Sequence, residues 1–352
     1  MKTRRRNYDP DRLSDLPDCV LIHILSTLNT KYAVQTCIFS KRWKNLWKNL
    51  PVLSLDYCCF KSLTAFNRFV SRVFSLRDKK TALQALDFYC ESHIQHRLLK
   101  RIIKYAFSHN VKIMDIWMGC TTEPFPLSYF SSHTLTSLNL TTSLRRCCRT
   151  IFPNSLNFQS LTNLSIRYFA FRSSGDDGYV EPFSALKSLN TLIIDCCKVH
   201  DEDILSISSA TLANLTIRMI PSYNYKFELS TPNLHSFDFT GNPLQKLSNS
   251  HNNLSSITHV NIDVQIRLSL ENYPLILLNW LTELALVESL TVSSRTLEIL
   301  YLVPDLWNID FRYLRKLKSL KIKKHGSSPI PRGIDDFLLQ NAPSAEKSII
   351  DL

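Results

Sequence analysis

Residues 189–194 read Leu-Asn-Thr-Leu-Ile-Ile, and the apolar side chains of Leu189, Leu192 and Ile194 decide the fold. The spacing is an apolar residue, two residues, a second apolar residue, one residue and a third apolar residue. Apolar residues two apart are typical of a short strand with one buried face. The spacing recurs along the chain at steps of 22 to 30 residues. The other occurrences are Leu83-Leu86-Phe88, Val111-Met114-Ile116, Leu135-Leu138-Leu140, Leu161-Leu164-Ile166, Leu212-Leu215-Ile217, Leu234-Phe237-Phe239, Ile257-Val260-Ile262, Val287-Leu290-Val292 and Leu317-Leu320-Ile322.

These steps fall in the 20–29 residue range of leucine-rich repeats, apart from two that are slightly longer. Each repeat of this kind contributes one short strand, and stacking of repeats buries apolar faces that no single repeat could bury. The consensus Asn or Cys that follows the third apolar residue is present only at Cys197 and Asn242. We therefore predict an α/β fold whose main part is an irregular, horseshoe-like leucine-rich-repeat solenoid.

The residue between the second and third apolar positions should point away from the core, onto a concave surface. This position is polar in every repeat except at Ile193, and it changes from acidic to basic towards the C-terminus. Lys318, Lys321 and Lys323 belong to the basic end and are candidates for binding an acidic segment of a partner; the alternative is a solvated charged face. The full column reads Asp87, Asp115, Asn139, Ser165, Ile193, Thr216, Asp238, Asn261, Thr291 and Lys321.

The first fifty residues have helical rather than strand spacing. Leu21, Ile24, Leu25 and Leu28 recur at helical intervals, and Pro17 is tolerated in a first turn, where its missing N–H would be unpaired. Two further short amphipathic helices follow, the last with Trp43 and Trp47 on one face. Side chains that could cap the three helices are Asp15, Thr30 and Ser40.

Three helices in so short a stretch bury too little surface to offset the entropy of ordering them. The unit must therefore pack against a neighbouring domain or a partner. From the pattern alone, a helical cap on the following domain and a separate docking module remain open.

The stretch from Asp11 to Asp56 resembles an F-box, in the variant found in plant F-box proteins with leucine-rich repeats. It departs from that pattern at Cys19, where an acidic residue is usual, and at Asn29, where proline usually opens the second helix. Both departures are expected to weaken the local helix or its contacts. The matching segments are Arg12-Leu13-Ser14-Asp15-Leu16-Pro17-Asp18, His23-Ile24-Leu25-Ser26, Ala33-Val34-Gln35-Thr36 and Ser40-Lys41-Arg42-Trp43-Lys44-Asn45-Leu46-Trp47.

The resemblance implies binding to a Skp-type adaptor and, through it, to a cullin scaffold and a RING subunit that recruits a ubiquitin-conjugating enzyme. The F-box itself would be non-catalytic. Carried over position by position, the adaptor-binding residues would be Leu16, Pro17, Leu21, Ile24 and Leu25, with Val34 and Trp43 completing or supporting them.

The segment from Lys61 to Arg77 has apolar residues on one helical face, which predicts a helix that packs onto the next domain. The predicted organisation is a basic flexible N-terminus at 1–10, an F-box at 11–56, a connecting helix at 57–82, a solenoid at 83–325 and a C-terminal cap or tail at 326–352.

Composition excludes several other classes. The 6 glycines are too scattered for a Rossmann or P-loop phosphate site. The longest apolar stretch, Leu275 to Leu281, is too short for a membrane span. Because an intracellular compartment is reducing, we expect the 10 cysteines to be buried thiols and not disulfides. The doublets Cys58-Cys59, Cys147-Cys148 and Cys196-Cys197 lack the two-residue gap of a zinc knuckle, so we expect no metal and no other cofactor.

The net charge of +12 favours acidic partners in general. No nucleic-acid-binding motif accompanies the basic end around Lys318, Lys321 and Lys323, so we expect no binding of nucleic acid. No apolar signal segment follows the basic residues 1–10, so we expect an intracellular protein of the nucleus or cytoplasm. No catalytic motif is found, so we predict no enzymatic activity. The resemblance to F-box proteins implies a substrate-recognition subunit of an SCF-type ubiquitin ligase. The alternative is an F-box interaction protein that acts without ubiquitin transfer.

Overall fold

The computed structural model describes most of the chain from residue 13 to residue 351. The basic segment 1–10 and the doublet Cys147-Cys148 lie outside the described residues. Those residues are 13, 15–91, 95–119, 125–143, 150–173, 178–200, 203–220, 225–245, 247, 254–265, 272–309, 311, 313–324 and 330–351.

The described residues form eight α-helices, three of them in the N-terminal fifty residues. Short 3-10 turns lie at Thr36–Ile38, Trp47–Asn49, Tyr57–Cys59, Pro126–Tyr129 and Leu306–Asn308. The helices are α1 (Asp18–Ser26), α2 (Thr30–Gln35), α3 (Trp43–Leu46), α4 (Leu63–Leu76), α5 (His96–Ser108), α6 (Tyr273–Glu283), α7 (Ser294–Tyr301) and α8 (Ile334–Leu339).

Nineteen strands lie in the same described residues, and most are short. They are β1 (Val52–Asp56), β2 (Ala85–Cys90), β3 (Ile113–Met118), β4 (Ser131–Ser132), β5 (Ser137–Thr142), β6 (Asn157–Phe158), β7 (Asn163–Arg167), β8 (Ala170–Phe171), β9 (Tyr179–Val180), β10 (Thr191–Asp195), β11 (Lys198–Val199), β12 (Ile204–Ser208), β13 (Asn214–Arg218), β14 (Lys226–Ser230), β15 (Ser236–Gly241), β16 (His259–Val264), β17 (Ser289–Ser293), β18 (Ser319–Lys324) and β19 (Glu346–Asp351).

Twelve of these strands form one parallel sheet, in which spatial order follows chain order. The order is β1-β2-β3-β5-β7-β10-β13-β15-β16-β17-β18-β19. Equivalent positions of the predicted spacing are paired: Leu192 of β10 is opposite Leu164 of β7 on one side and Leu215 of β13 on the other. All ten predicted occurrences therefore mark strands of this sheet.

The sheet extends beyond the range 83–325 predicted from the repeats. Its first strand, β1, lies in the segment assigned to the F-box, and pairs with β2 so that Leu53 is opposite Leu86. Its last strand, β19, lies in the segment assigned to the C-terminal cap and pairs with β18. The helical N-terminus and the sheet thus share a strand.

From β1 to β18, every second side chain of the sheet points into one continuous core, whereas the side chains of β19 are exposed. Leu86, Met114 and Leu138 are buried, as are the equivalent residues of the following strands through Leu320. Side chains at the intervening positions, such as Asp115 and Asn139, form the opposite face, here called the polar face. This face therefore carries the side chains that are free to contact a partner.

Connections between the sheet strands differ along the chain. Helix α4 joins β1 to β2, α5 joins β2 to β3, and α6 and α7 flank β17. In the middle of the chain, small parallel sheets take the place of the helices, such as the three-stranded sheet of β9, β12 and β14. Helix α4 confirms the helix predicted between Lys61 and Arg77. Its N-cap Ser62 accepts a hydrogen bond from the backbone N–H of Ala65 at 3.2 Å.

Two predicted helix caps are wrong. Asp15 does not cap α1, which begins at Asp18 with Pro17 at the N-cap position and without a side-chain cap. Asn29, not Thr30, caps α2, by accepting a hydrogen bond from the Lys31 N–H at 2.9 Å. Asn29 was expected to weaken this helix, but its side chain satisfies a backbone donor that would otherwise lack a partner.

The prediction of buried thiols holds for part of the cysteines. Cys90 and Cys197 are buried, but Cys19 and Cys58 are exposed, and Cys59 and Cys196 are partly buried. Cys90 is the last residue of β2 and Cys197 lies between β10 and β11, and both belong to the hydrophobic core.

Candidate docking surfaces

The buried side chains of the helical N-terminus belong to the same hydrophobic core as those of the sheet. Leu21 and Leu25 of α1 are buried together with Ala33, Leu46 and Trp47. The same contacts continue into β1, through Leu53 and Leu55. The three helices therefore depend on the sheet for part of their burial. The sheet is the neighbouring domain that so small a helical unit requires.

The seven residues predicted to bind an adaptor fall into three groups. Pro17 and Ile24 are exposed, and Leu16 and Val34 are partly buried. Leu21, Leu25 and Trp43 are buried in the core just described. In this arrangement the buried three hold the helices in place, and the side chains available for contact are the other four.

The segment from Leu13 to Phe39 also exposes large apolar side chains outside the seven predicted adaptor-binding residues. Ile38 is 80% exposed and Phe39 is 68% exposed, and the ring of Phe39 packs edge-on against Trp43 with centroids 5.9 Å apart. So many exposed apolar side chains in so short a segment are typical of an interaction site. The apolar surface of this segment comprises Leu13, Val20, Ile24, Leu28, Tyr32, Ile38 and Phe39.

Arg42 fixes the start of this surface. Its Nε donates to Asp18 Oδ1 at 2.8 Å, and its guanidinium also donates to the carbonyl oxygen of Leu16. Arg42 belongs to the Ser-Lys-Arg-Trp run, and Leu16 and Asp18 to the Leu-Pro start. The contact therefore joins the Ser-Lys-Arg-Trp run to the Leu-Pro start.

Arg77 joins the helical N-terminus to the sheet. The side chain is 2% exposed, and its Nε and Nη2 donate to the carbonyl oxygen of Leu50 at 3.1 and 2.8 Å. The same guanidinium donates to the carbonyl oxygens of Thr81 at 2.9 Å and Ala82 at 3.0 Å, just before β2. A second link is the hydrogen bond from the Ser54 N–H of β1 to Thr30 Oγ1 at 2.9 Å.

Two carboxylates stand side by side on the polar face near its N-terminal end. Asp87 of β2 is directly opposite Asp115 of β3, and Asn139 of β5 donates its amide to Asp115 Oδ2 at 3.1 Å. Loss of hydration raises the pKa of both carboxyls, and the neighbouring Asp115 raises the pKa of Asp87 further. Asp87 keeps one side open to solvent, but the surrounding strands remove enough water to disfavour its charge.

We expect Asp87→Asn to raise the free energy of unfolding near neutral pH. A carboxyl whose pKa is raised by folding destabilises the folded chain above the folded pKa, and this cost vanishes below the unfolded value of about 3.9. The difference in free energy of unfolding between Asp87→Asn and the unaltered chain should therefore shrink as the pH falls. Urea unfolding of both proteins at several pH values measures it, and an unaltered chain that is more stable than the variant at neutral pH would contradict the expectation.

At the other end of the sheet, the structure separates the three predicted substrate-binding lysines. Lys321 and Lys323 lie at alternate positions of β18, both on the polar face, and Lys323 Nζ approaches Asn261 Oδ1 of β16 at 3.4 Å. Lys318 precedes the strand and is paired with Glu288 Oε2 at 2.8 Å. Lys321 and Lys323 therefore form the available basic pair.

Two further properties concern only the residues that the structure describes. Among them, no three His, Cys, Asp or Glu side chains lie close enough together to hold a metal ion. None of the helices they form is both long enough and apolar enough to cross a membrane.

Comparison with known proteins identifies the N-terminal region. Residues 13–55 match the F-box domain family. The chain is 26% identical over 313 residues to F-box protein At1g60400 of Arabidopsis thaliana. This match covers 82% of this chain and 72% of that protein.

Two other Arabidopsis thaliana proteins are similar over a shorter stretch. Putative F-box/FBD/LRR-repeat protein At4g13965 is 28% identical over 62% of this chain, and F-box/LRR-repeat protein 13 is 28% identical over 58% of it. The matches span 50% and 46% of those two proteins, so this chain corresponds to about half of each.

Proposed function

Since this chain is a plant F-box protein, we propose that it is the substrate-recognition subunit of an SCF-type (Skp–cullin–F-box) ubiquitin ligase. The observation that carries the proposal is the F-box match at residues 13–55 together with the exposed apolar side chains of the same segment. F-box domains generally dock Skp-type adaptors, and the apolar surface offers the anchors that such docking needs.

In this proposal the contact with the adaptor is made by exposed and partly buried residues. Leu16, Pro17, Ile24 and Val34 contact the adaptor, joined by Ile38 and Phe39. Leu21, Leu25 and Trp43 support them from the core, because side chains that are already buried inside the chain have no surface to offer.

We further propose that the twelve-stranded sheet is a leucine-rich-repeat solenoid that binds the substrate. Support comes from the ten occurrences of the repeat spacing, from the parallel order of the strands and from the repeat named in the relatives. The polar face then receives the substrate, with Lys321 and Lys323 placed to hold an acidic segment of it.

The chain supplies no chemistry of its own in this function. By holding the substrate on the polar face and the adaptor on the apolar surface, it brings a substrate lysine close to the conjugating enzyme that the rest of the complex recruits. Such tethering raises the effective concentration of the two reactants and so accelerates transfer.

Complex formation with a purified Skp-type adaptor tests the proposal. The full chain mixed with the adaptor should elute from a sizing column as one complex, and the Leu16→Ala/Pro17→Ala variant should not. The full chain is needed because β1 and Leu50 connect the F-box to the sheet. Equal elution of the variant and the unaltered chain with the adaptor would overturn the proposed docking.

Ubiquitin transfer distinguishes the two functional alternatives. With cullin, RING subunit and conjugating enzyme added, a protein captured by the polar face should be modified only when the unaltered chain is present. Capture and adaptor binding without modification would favour the alternative, an F-box protein that acts without ubiquitin transfer.

A further inference from the structure

A cavity of about 390 Å³ opens on the polar face at its N-terminal end, above β1, β2, β3, β5 and β7. Its lining includes Asp87, Asp115, Asn139, Trp117 and Arg167. A second cavity of about 450 Å³ shares Trp117 and Arg167 with the first and continues across the same face. The two together make a recess in an otherwise regular sheet surface, here called the acidic recess.

Negative charge in the acidic recess is not neutralised by the described residues. Asp87 makes no hydrogen bond or ion pair with any of them, and Asp115 accepts a hydrogen bond only from the neutral amide of Asn139. Arg167, the cation among the described residues that line the first cavity, is 2.6 Å from Asp195 Oδ2, which Arg218 also approaches at 3.9 Å, so Arg167 is paired with Asp195 and not with Asp87 or Asp115. Two adjacent carboxylates therefore face the recess without a counter-charge.

An aromatic platform lies directly beside the carboxylates. The rings of Tyr89 and Trp117 are stacked, with centroids 4.4 Å apart and an interplanar angle of 15°. Tyr89 donates its hydroxyl to Glu91 Oε1 at 2.9 Å, which helps to fix the ring. Each ring is two residues beyond a carboxylate on the same strand, Tyr89 after Asp87 and Trp117 after Asp115, so rings and carboxylates lie on the same face.

A pair of unneutralised carboxylates beside a fixed aromatic platform is complementary to one class of side chain. A cation between Asp87 and Asp115 would relieve their mutual repulsion and restore the counter-charge they lack. A planar guanidinium can in addition stack on an aromatic ring and bind a carboxylate through two hydrogen bonds, which an ammonium cannot. Arginine therefore fits the acidic recess better than lysine.

We propose that the acidic recess is a docking surface for an arginine side chain in an extended segment of the substrate. This inference rests on the substrate-recognition function proposed above and specifies the chemistry of what is recognised. From β2 to β7 the recess spans about 14 Å at the usual strand spacing. That is the length of about four extended residues, so the arginine is the anchor of a short linear segment.

Matched peptides test the proposal on the full chain. The probe is the blocked peptide Ser-Gly-Ser-Arg-Ser-Gly-Ser, and its control carries citrulline, a neutral isostere, in place of arginine. Binding is followed by NMR titration of the peptide. We expect the arginine peptide to bind at least about tenfold more tightly than the citrulline peptide, a difference of about 1.4 kcal/mol. Equal binding of the two peptides would overturn the proposal.

Two variants locate the binding. The Asp87→Asn/Asp115→Asn variant keeps shape but removes both charges, and it should lose the preference for arginine over citrulline. Asp238→Asn removes a charge from the same column but lies outside both cavities, so this variant should bind the arginine peptide like the unaltered chain. An unchanged preference in the first variant, or an equal loss in the second, would show that the peptide binds elsewhere.

Two further measurements complete the test. If the arginine peptide binds only after removal of the chain's own basic residues 2–10, those residues are the occupant and the proposal is wrong. The Asp87→Asn/Asp115→Asn variant should also bind the Skp-type adaptor normally. A chain that binds the arginine peptide but not the adaptor would overturn the proposed ligase function and leave the recognition of arginine standing.

Discussion

Replacement of Phe39 by Ala is expected to weaken the complex with a Skp-type adaptor about 30-fold, equivalent to about 2 kcal/mol. Phe39 is 68% exposed in the free chain, so its large apolar surface is available to be buried by a partner. Interfaces concentrate their binding energy in a few such anchors, and aromatic side chains are prominent among them. Affinity is measured by titration calorimetry with the purified adaptor.

The same exposure predicts that folding will be preserved in Phe39→Ala. Within the chain its ring contact is with Trp43, which remains held by the core of the three helices. Leu302→Ala is the matched control, because Leu302 is 63% exposed but lies at the end of α7, outside the F-box. Equal affinities for Phe39→Ala and Leu302→Ala would remove Phe39 from the docking surface.

We expect Arg77→Met to lower the free energy of unfolding by about 3 kcal/mol, since each buried acceptor left without a donor costs about 1–3 kcal/mol. The guanidinium donates to the carbonyl oxygens of Leu50, Thr81 and Ala82, and its other near partner is the hydroxyl of Tyr105 at 3.5 Å. Methionine fills much of the same space but provides no donor. Urea unfolding followed by tryptophan fluorescence measures the loss.

Arg72→Met is the control for Arg77→Met, because Arg72 lies on α4, the helix that ends directly before Arg77 in the chain, and has an exposed side chain. Surface substitutions of this kind usually change stability by less than about 0.5 kcal/mol. The free energy of unfolding of Arg77→Lys should lie between those of the two methionine variants, since a single ammonium cannot donate to all three carbonyls as a planar guanidinium does. Unfolding of Arg77→Met and Arg72→Met at the same urea concentration would show that Arg77 does not stabilise the connection between the helical N-terminus and the sheet.

The long sheet was the part of the structure most accessible from sequence. A spacing repeated ten times is a signal that neighbouring repeats reinforce, and each occurrence is a strand. The first strand carries the same spacing, Leu50-Leu53-Leu55, but it was hidden by the F-box that overlaps it. The last strand could not be found in this way, because Lys347 occupies the position of the second apolar residue, opposite Leu320.

The docking surfaces were less accessible, because an apolar stripe has the same spacing whether it faces a core or a partner. Leu21, Ile24 and Leu25 share one pattern in the sequence, yet only Ile24 is exposed. Phe39 follows the 3-10 turn Thr36–Ile38, beyond the periodic positions of α2, so the spacing does not indicate its exposure. On the sheet, the column containing Asp87 and Asp115 was visible, but the rings of Tyr89 and Trp117 lie one position outside the repeated triplet.

The strand shared by the F-box and the sheet has a consequence for how such proteins can recombine. A crossover that exchanged F-boxes at Asp56 would replace β1, the partner of β2, and with it the carbonyl of Leu50 that Arg77 holds. A chimaera would keep the pairing of β1 with β2 only if the incoming strand could pair with β2. It would also need a carbonyl oxygen that accepts from Arg77 in place of that of Leu50. The unit that can be transplanted is therefore the three helices with β1, α4 and Arg77.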